Sequence, residues 1–342
     1  MTRDRQRDGT PSVVPSPGEA LVRLEHVTKV YASGGRRWGR PTGRVVAVDD
    51  VSLEVAAGET LGLVGESGCG KSTIGRLALR LTEPTKGRIH FRGKDVGRLS
   101  PAQLRRARRH MQIIFQDPLA SLNPRMTVRD IVGEPITVHG LAKGGDETAE
   151  RVVDLLLQVG LGPEHLHRYP HEFSGGQRQR VCIARALASN PSFIVADEPL
   201  SALDVSIQAQ IVNLLMSLQE ELGLAFLFIS HDLNIVGLLA GRVAVMYFGW
   251  LVEVAPAIDL FEVPLHPYSR ALLAAIPVAD PSRRGRPRPL LGGELPNPHE
   301  PPTGCSFHPR CPIQVLGCHD ERPELREVAP GRWVRCHLVG AG

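Results

Sequence analysis

The chain of 342 residues has no apolar run long enough to cross a membrane as a helix. Its best candidate, Val243 to Val252, is flanked by Arg242 and Glu253 and reaches about half of a span. No apolar segment follows the early arginines Arg3, Arg5 and Arg7, so residues 1–20 read as a disordered tail and not as a signal peptide. A chain without either feature is expected in the cytosol, where disulfides are not. None of the six cysteines forms a Cys-x-x-Cys pair, which excludes an ordinary zinc ribbon. A strong charge imbalance is also missing: 40 Lys and Arg stand against 36 Asp and Glu, a net +4. This gives no case for nucleic acid as a partner, and the arginine clusters at 105–109 and 283–288 read as solvated faces or linker. The length allows one large or two modest domains.

What is present is centred on Gly65-Glu66-Ser67-Gly68-Cys69-Gly70-Lys71-Ser72-Thr73, which fits G-x-x-x-x-G-K-[ST]. The apolar run Thr60 to Val64 precedes it as a strand, and Ile74 to Leu81 follows with helical spacing. Strand, glycine-rich turn and helix start make an anion site, because backbone N–H groups point inward and the helix dipole favours negative charge. Gly65, Gly68 and Gly70 allow backbone conformations that a Cβ obstructs. Lys71 reaches β- and γ-phosphates, and the Ser72 hydroxyl suits Mg²⁺.

Strands are expected at Leu21 to Tyr31, Val45 to Val55, Arg88 to Phe91, Met111 to Phe115, Ser192 to Ala196, Ala225 to Ile229, Arg242 to Phe248 and Leu251 to Val254. Residues 32–43 read as a long exposed hairpin loop and Asp117 to Pro124 as a further loop. Helices are expected from Ser100 to His110, at Thr127 to Val138 and Glu147 to Val159, from Ser174, over Val205 to Leu222, and over His266 to Ile276. The alternation predicts an α/β core with parallel strands, interrupted by a helical insertion at about 117–174. Pro277 to Pro302 reads as linker or irregular wrap.

Two further stretches carry chemistry. Phe193-Ile194-Val195-Ala196-Asp197-Glu198 delivers two carboxylates at a strand's C-terminal end, where ligands of open α/β sheets gather. Asp197 suits Mg²⁺, and Glu198 suits the general base for an attacking water; an ordinary strand-end cap is the alternative for such a pair alone. Phe173-Ser174-Gly175-Gly176-Gln177 opens a helix with a Ser cap and two glycines, a second anion-binding helix start. One nucleotide does not need two such sites in one subunit, so a head-to-tail pair of chains is expected.

With these residues in view, the chain resembles ATP-binding subunits of ABC transporters over roughly Leu21 to Val254. Gly65 to Thr73 matches Walker A, Val195 to Glu198 Walker B, and Phe173 to Gln177 the LSGGQ signature with Phe for Leu. Gln116 falls at the Q-loop, Ser201 to Asp204 at the D-loop, and His231 at the switch loop. Tyr31 matches the adenine-stacking aromatic, with an insertion after it. The fold this resemblance implies is a P-loop NTPase core with an antiparallel β subdomain and an inserted helical subdomain, spanning residues 21–262. It implies ATP and Mg²⁺ as ligands, with Ser72, Gln116 and Asp197 at the metal. Lys71, Gln116, Glu198 and His231 are the catalytic set, and Ser174, Gly175, Gly176 and Gln177 contact the nucleotide of a partner subunit.

Phe115 to Pro124, Leu265-His266-Pro267-Tyr268, Gly293-Glu294-Leu295-Pro296 and Cys305-x-Phe307-x-x-Arg310-Cys311-Pro312 are similar to the oligopeptide/dipeptide importer subfamily. That likeness implies a peptide-importer-type extension over 263–342, a paralogous ATPase partner, two permeases, an extracytoplasmic solute-binding protein acting indirectly, and residence at the cytoplasmic face of the plasma membrane. A soluble ABC ATPase acting on DNA or ribosomes is the rival class. Those carry a long coiled coil or a second nucleotide-binding half, which this chain lacks. A metal- or redox-sensing ATPase is a third reading.

The last region holds Cys305, Cys311, Cys318 and Cys336 in an irregular stretch. Four thiols in a reducing compartment admit three readings: an iron–sulfur cluster, as some subfamily members imply, zinc with His308 or His319, or buried structural thiols. Cys69 and Cys182 need no ligand role.

Overall fold

The computed structural model describes residues 20–37, 40–276, 292 and 296–339. An antiparallel sheet is built from β1 (Ala20–Arg37), β2 (Arg40–Ala56), β4 (Lys86–Phe91) and β5 (Lys94–Asp95), in the order β2-β1-β4-β5. The alternation in β1 sends Val22 and Leu24 inward, while Arg23 pairs with its cross-strand neighbour Glu54 at 2.6 Å on the outer face.

The second sheet runs β11-β12-β10-β9-β3-β8-β7-β6 among the described residues. It comprises β3 (Thr60–Val64), β6 (Met111–Ile114), β7 (Phe193–Asp197), β8 (Ala225–Ile229), β9 (Arg242–Tyr247), β10 (Trp250–Pro256), β11 (Arg326–Ala329) and β12 (Arg332–Val334). Strands β3, β7 and β8 are buried along their whole length and pair in parallel, as continuous apolar runs demand. Alternate residues face opposite sides. Leu61, Leu63, Val195 and Ile229 pack toward α1 (Lys71–Ala78) and the antiparallel sheet, whereas Ala196, Phe226 and Phe228 pack toward the helices of the other layer.

Helix α2 (Pro101–Arg108), which Ser100 caps in a capping box with Gln103, sets Ala107 against the α1 side, and the helices of the other layer begin with α3 (Pro118–Ser121). The insertion contributes α4 (Val128–Val138) and α5 (Gly145–Gln158), whose Ile131, Val132, Val152 and Leu156 pack into the same core as α6 (Gly175–Leu187). The chain continues through α7 (Val205–Leu222), α8 (Leu233–Leu239), α9 (Ala257–Glu262), α10 (Pro267–Ala274) and α11 (Gly317–Asp320). The expected α/β core, antiparallel subdomain and helical insertion are all present.

Three local expectations are corrected. Residues 32–43 are expected as a long exposed hairpin loop; the described residues 32–37 and 40–43 instead continue the paired strands of the β1–β2 hairpin, with Ser33 opposite Gly43 and Arg36 opposite Pro41. Pro41 is tolerated there because β2 is an edge strand and owes no second ladder bond. Within 117–124, Asp117 caps one helical turn by accepting from the N–H groups of Leu119 and Ala120. The C-terminal region is less irregular than expected: β11 and β12 form a hairpin around Pro330-Gly331, and β12 pairs with β10, extending the main sheet. The apolar run Val243 to Val252 is folded back as the β9–β10 hairpin. No helix among the described residues is long and apolar enough to cross a membrane. Of the expected linker Pro277 to Pro302, residues 277–291 and 293–295 lie outside the described residues, as does the tail before residue 20.

Candidate functional site

Parallel pairing aligns the C-terminal ends of three strands. Leu63 and Asp197 both sit opposite Ile229, so the segments that follow β3, β7 and β8 leave the sheet together. That edge receives the glycine-rich loop, the two carboxylates and the Ser230-His231 turn.

The loop fits only because of its glycines. A Cβ on Gly65 would lie 2.1 Å from the Met246 carbonyl oxygen, and one on Gly70 would lie 2.2 Å from that of Ala47. Both residues also hold positive φ, which other side chains resist. Lys71, 4 % exposed, donates its ammonium to the carbonyls of Gly65 at 2.8 Å and Glu66 at 3.0 Å. The loop is thereby closed around its own lysine. Ser67 and Gly68 are exposed at its tip, Thr73 is half-buried, and the thiol of Cys69 is buried, which pushes its pKa up.

Ser72 donates its hydroxyl to Asp197 at 2.8 Å, joining the loop to β7. Burial raises the pKa of Asp197 and outweighs that hydrogen bond, which acts the other way. Glu198 follows with φ of +48°, a conformation uncommon outside glycine and asparagine. It is held by its N–H on the Ile229 carbonyl at 3.0 Å and by the Ser201 hydroxyl on its own carbonyl at 3.1 Å. One carboxylate oxygen then collects two partners: Gln116 Nε2 donates to it at 3.0 Å, and His231 Nδ1 lies 3.4 Å away. The structure thus brings Gln116, Glu198 and His231 together in one group, and Lys71, Ser72 and Asp197 in another beside it.

Ser174 stands elsewhere. Its side chain accepts from Gln177 N and its N–H donates to Gln177 Oε1, a complete capping box that leaves Ser174 and Gly175 exposed. Gly176 is buried against Ile207, where a Cβ would meet Cγ2 at 2.6 Å. Among the described residues no hydrogen bond joins this helix start to the phosphate loop. Tyr31 lies on β1 with its ring exposed and the Lys29 ammonium 5.0 Å from the ring centre.

The sequence is matched by a family described as "ABC transporter" over residues 48–201 and by "Oligopeptide/dipeptide transporter, C-terminal region" over 252–318. It is 51 % identical over 324 residues to the oligopeptide transport ATP-binding protein AppF of Bacillus subtilis (strain 168), covering 94 % of this chain and 98 % of that protein. The chain belongs to the ABC transporter family. The putative oligopeptide transport ATP-binding protein YkfD of the same organism is 55 % identical over 319 residues, covering 93 % of this ABC chain and 95 % of its relative. Among solved structures, an ATP-binding cassette, MJ0796, in a dimeric post-hydrolysis state bound to ADP and Pi superimposes with a TM-score of 0.62. It shares 31 % identity over 69 % of this chain and 99 % of that one.

The cysteine region departs from the metal expectation. The backbone N–H of Cys305 donates to the Cys318 carbonyl at 2.9 Å, and the other three thiols of the tail are near enough to raise the Cys305 pKa further. Burial is nevertheless the main cause, and it takes that thiol to about 11. A metal shell needs deprotonated sulfurs converging on one point. Among the described residues, no group of three or more His, Cys, Asp or Glu side chains is arranged to hold a metal ion. Neither iron–sulfur nor zinc finds support in this arrangement; Cys305 and Cys318 are buried, and Cys311 and Cys336 are half-buried, with no disulfide between them.

Sequence reasoning passed over Glu66, Tyr268 and Arg310. The Glu66 N–H donates to the Tyr268 hydroxyl at 2.9 Å, and its carboxylate receives both arms of Arg310 at 2.7 and 3.0 Å. Glu66 is a free position of the loop pattern, and Tyr268 and Arg310 were read only as subfamily resemblance. Nothing in their spacing links them.

Proposed function

We propose that the chain is the ATP-binding and ATP-hydrolysing subunit of a membrane ABC importer for oligopeptides, dipeptides or related solutes. The observation that carries this reading is the end-to-end likeness to an oligopeptide transport ATP-binding protein, including the C-terminal region. A nucleotide-binding core alone would not single out peptides.

The site suggests how its residues act. Lys71 exchanges its two carbonyl partners for β- and γ-phosphate oxygens when ATP enters, releasing the loop to wrap the polyphosphate with its N–H groups. Ser72, Asp197 and Gln116 supply oxygen donors that suit Mg²⁺, which neutralises developing phosphate charge when bound. Glu198 accepts a proton from the attacking water, and His231, already beside that carboxylate, orients water and γ-phosphate. Tyr31 stacks on adenine. The Ser174-Gly175-Gly176-Gln177 helix start, exposed at Ser174 and Gly175, caps the γ-phosphate of a partner subunit's nucleotide, by the anion affinity of helix N-termini. MJ0796, which shares this architecture, was solved as a dimer.

Closure with ATP and opening after hydrolysis form a ligand-driven switch. In this reading it moves two permease subunits from the cytoplasmic face of the plasma membrane, with a second ABC ATPase, a paralogue, completing the pair and an external binding protein delivering solute. Residues 21–262 are the nucleotide-binding domain, with the helical insertion as its permease-facing part, and residues 263–342 are the importer-type extension. The test is uptake of labelled peptides into vesicles holding the purified complex. Uptake is expected only with ATP and is expected to disappear with Glu198→Gln. A chain that fails to associate with a permease pair, or binds nucleic acid in moderate salt, would overturn the reading.

A further inference from the structure

Among the described residues, the segment after β10 makes its side-chain hydrogen bonds to the phosphate loop at Glu66. Glu66 is gripped three ways: its N–H by the Tyr268 hydroxyl at 2.9 Å, its carbonyl by the Lys71 ammonium at 3.0 Å, and its carboxylate by the Arg310 fork at 2.7 and 3.0 Å. Tyr268 opens from α10, and Arg310 closes a short turn between Cys305 and Cys311. Both groups are rooted rigidly. Tyr268 is 0 % exposed, with its ring centre 4.7 Å from that of Tyr247, the last residue of β9. Phe307 meets Tyr247 edge-on at 5.1 Å, and the Arg310 guanidinium lies 5.8 Å from the Tyr247 ring centre. Arg310 also donates its Nε to the Gly292 carbonyl at 3.2 Å, and its side chain is only 6 % exposed.

A carboxylate inside a phosphate-binding loop is electrostatically adverse. Uncovered, it would repel a polyanion a few ångströms away, and screening by salt is weak for a partly buried charge. The Arg310 fork removes that repulsion with the planar bidentate geometry suited to a carboxylate. It also fixes the peptide whose carbonyl holds Lys71 in the nucleotide-free loop.

The geometry points to Arg310 and Tyr268 as positioning residues of the ATP site: the cysteine-bearing extension neutralises Glu66 and orients its peptide, so that the phosphate loop is set to receive ATP. This rests on the reading of Gly65 to Thr73 as the ATP phosphate site. Neither residue touches the nucleotide in this proposal. They act through Glu66, and the extension becomes part of the ATPase.

Titration of the full chain with a fluorescent ATP analogue at fixed Mg²⁺ tests it. Arg310→Met keeps the apolar stem over Tyr247 and exposes the Glu66 charge; affinity is expected to fall about tenfold. Adding Glu66→Gln to that variant removes the exposed charge and is expected to restore affinity to within about threefold of the unmodified chain. A merely structural role for Arg310 would not be rescued by a change on the loop. Arg310→Lys keeps the charge but gives up the fork, and is expected to bind about threefold more weakly. Tyr268→Phe removes only the hydroxyl under the Glu66 N–H and is expected to weaken binding by a similar factor. Unchanged affinity in Arg310→Met, or a loss that Glu66→Gln leaves in place, overturns the proposal. If Arg310→Met does not fold, unchanged affinity in both Arg310→Lys and Tyr268→Phe does so instead. Lys71→Ala separates the two levels: if it binds as tightly as the unmodified chain, the ATP-site reading itself has failed.

Discussion

His231 Nδ1 lies 3.4 Å from the Glu198 oxygen that Gln116 also engages, so the carboxylate assigned to the water is held from two loops before any nucleotide arrives. The three side chains come from segments after β6, β7 and β8, and parallel register alone places them at one edge. Glu198→Gln keeps the size and both neighbours but cannot take a proton. Hydrolysis is expected to fall about a hundredfold or more, with ATP still bound. Phosphate release and nucleotide binding measured on the same preparation check this, and undiminished turnover would remove Glu198 from the role of base.

The pairing of Ser72 with Asp197 predicts how the metal requirement responds to pH. Burial holds the Asp197 carboxyl above the ordinary aspartate range. Protonation therefore competes with Mg²⁺ at a higher pH than for an exposed aspartate, and the Mg²⁺ concentration for half-maximal ATPase should climb as pH falls toward that range. Ser72→Ala removes one oxygen donor and should raise that concentration on the order of tenfold at neutral pH. A Mg²⁺ dependence indifferent to Ser72→Ala would exclude this residue as a ligand.

Much of the site was legible because its chemistry is local in sequence. Lys71 and Ser72 sit in a recognisable turn, and Asp197 and Glu198 end an apolar strand, so the residue types and their strand-end positions sufficed. The central sheet was legible for the same reason: β3, β7 and β8 are buried on both faces and read as unbroken apolar runs. The clamp on Glu66 was not, since Arg310 lies 244 positions away and finds its partner only through the packing of Tyr247, Tyr268 and Phe307. The β11–β12 hairpin was missed because strands of four and three residues leave no period to detect. Spacing of the tail cysteines also left their use open, because only the fold decides whether sulfurs share one point or merely one region.

The exposed helix start at Ser174 leads to a prediction about concentration. Its capping box engages the Ser174 and Gln177 N–H groups, and Ser174 and Gly175 stay exposed at the surface of the chain. If a partner's nucleotide completes the site, ATPase activity per chain should rise with protein concentration and fall steeply on dilution. Ser174→Arg should suppress that activity while Lys71-dependent ATP binding by the single chain persists. Activity per chain that stays constant over a hundredfold dilution would argue for a site complete within one subunit.

His266 predicts the acid limit of the fold. The residue is 1 % exposed, its ring nitrogen Nδ1 accepts from the Tyr268 N–H at 3.0 Å, and its own N–H donates to Glu253 at 2.9 Å. Burial, the main cause, pushes its pKa down to about 3; the Arg270 charge acts the same way, and a hydrogen bond with the Arg335 backbone opposes it. Arg332 and Glu253 face the same turn, 3.7 Å apart. The folded-state value lies below the unfolded one, so the unfolded chain binds the extra proton between them. The stability that neutral His266 supports is complete above about pH 6.5 and is lost as pH falls toward 3, at about 1.4 kcal/mol per unit at most. Urea unfolding at pH 7.5, 6.0 and 5.0 measures the slope. His266→Asn keeps a short acceptor for the Tyr268 N–H but does not titrate, so it should lower stability at pH 7.5 and flatten its decline below pH 6.5. Identical pH profiles for the two chains would show that His266 does not set the acid limit.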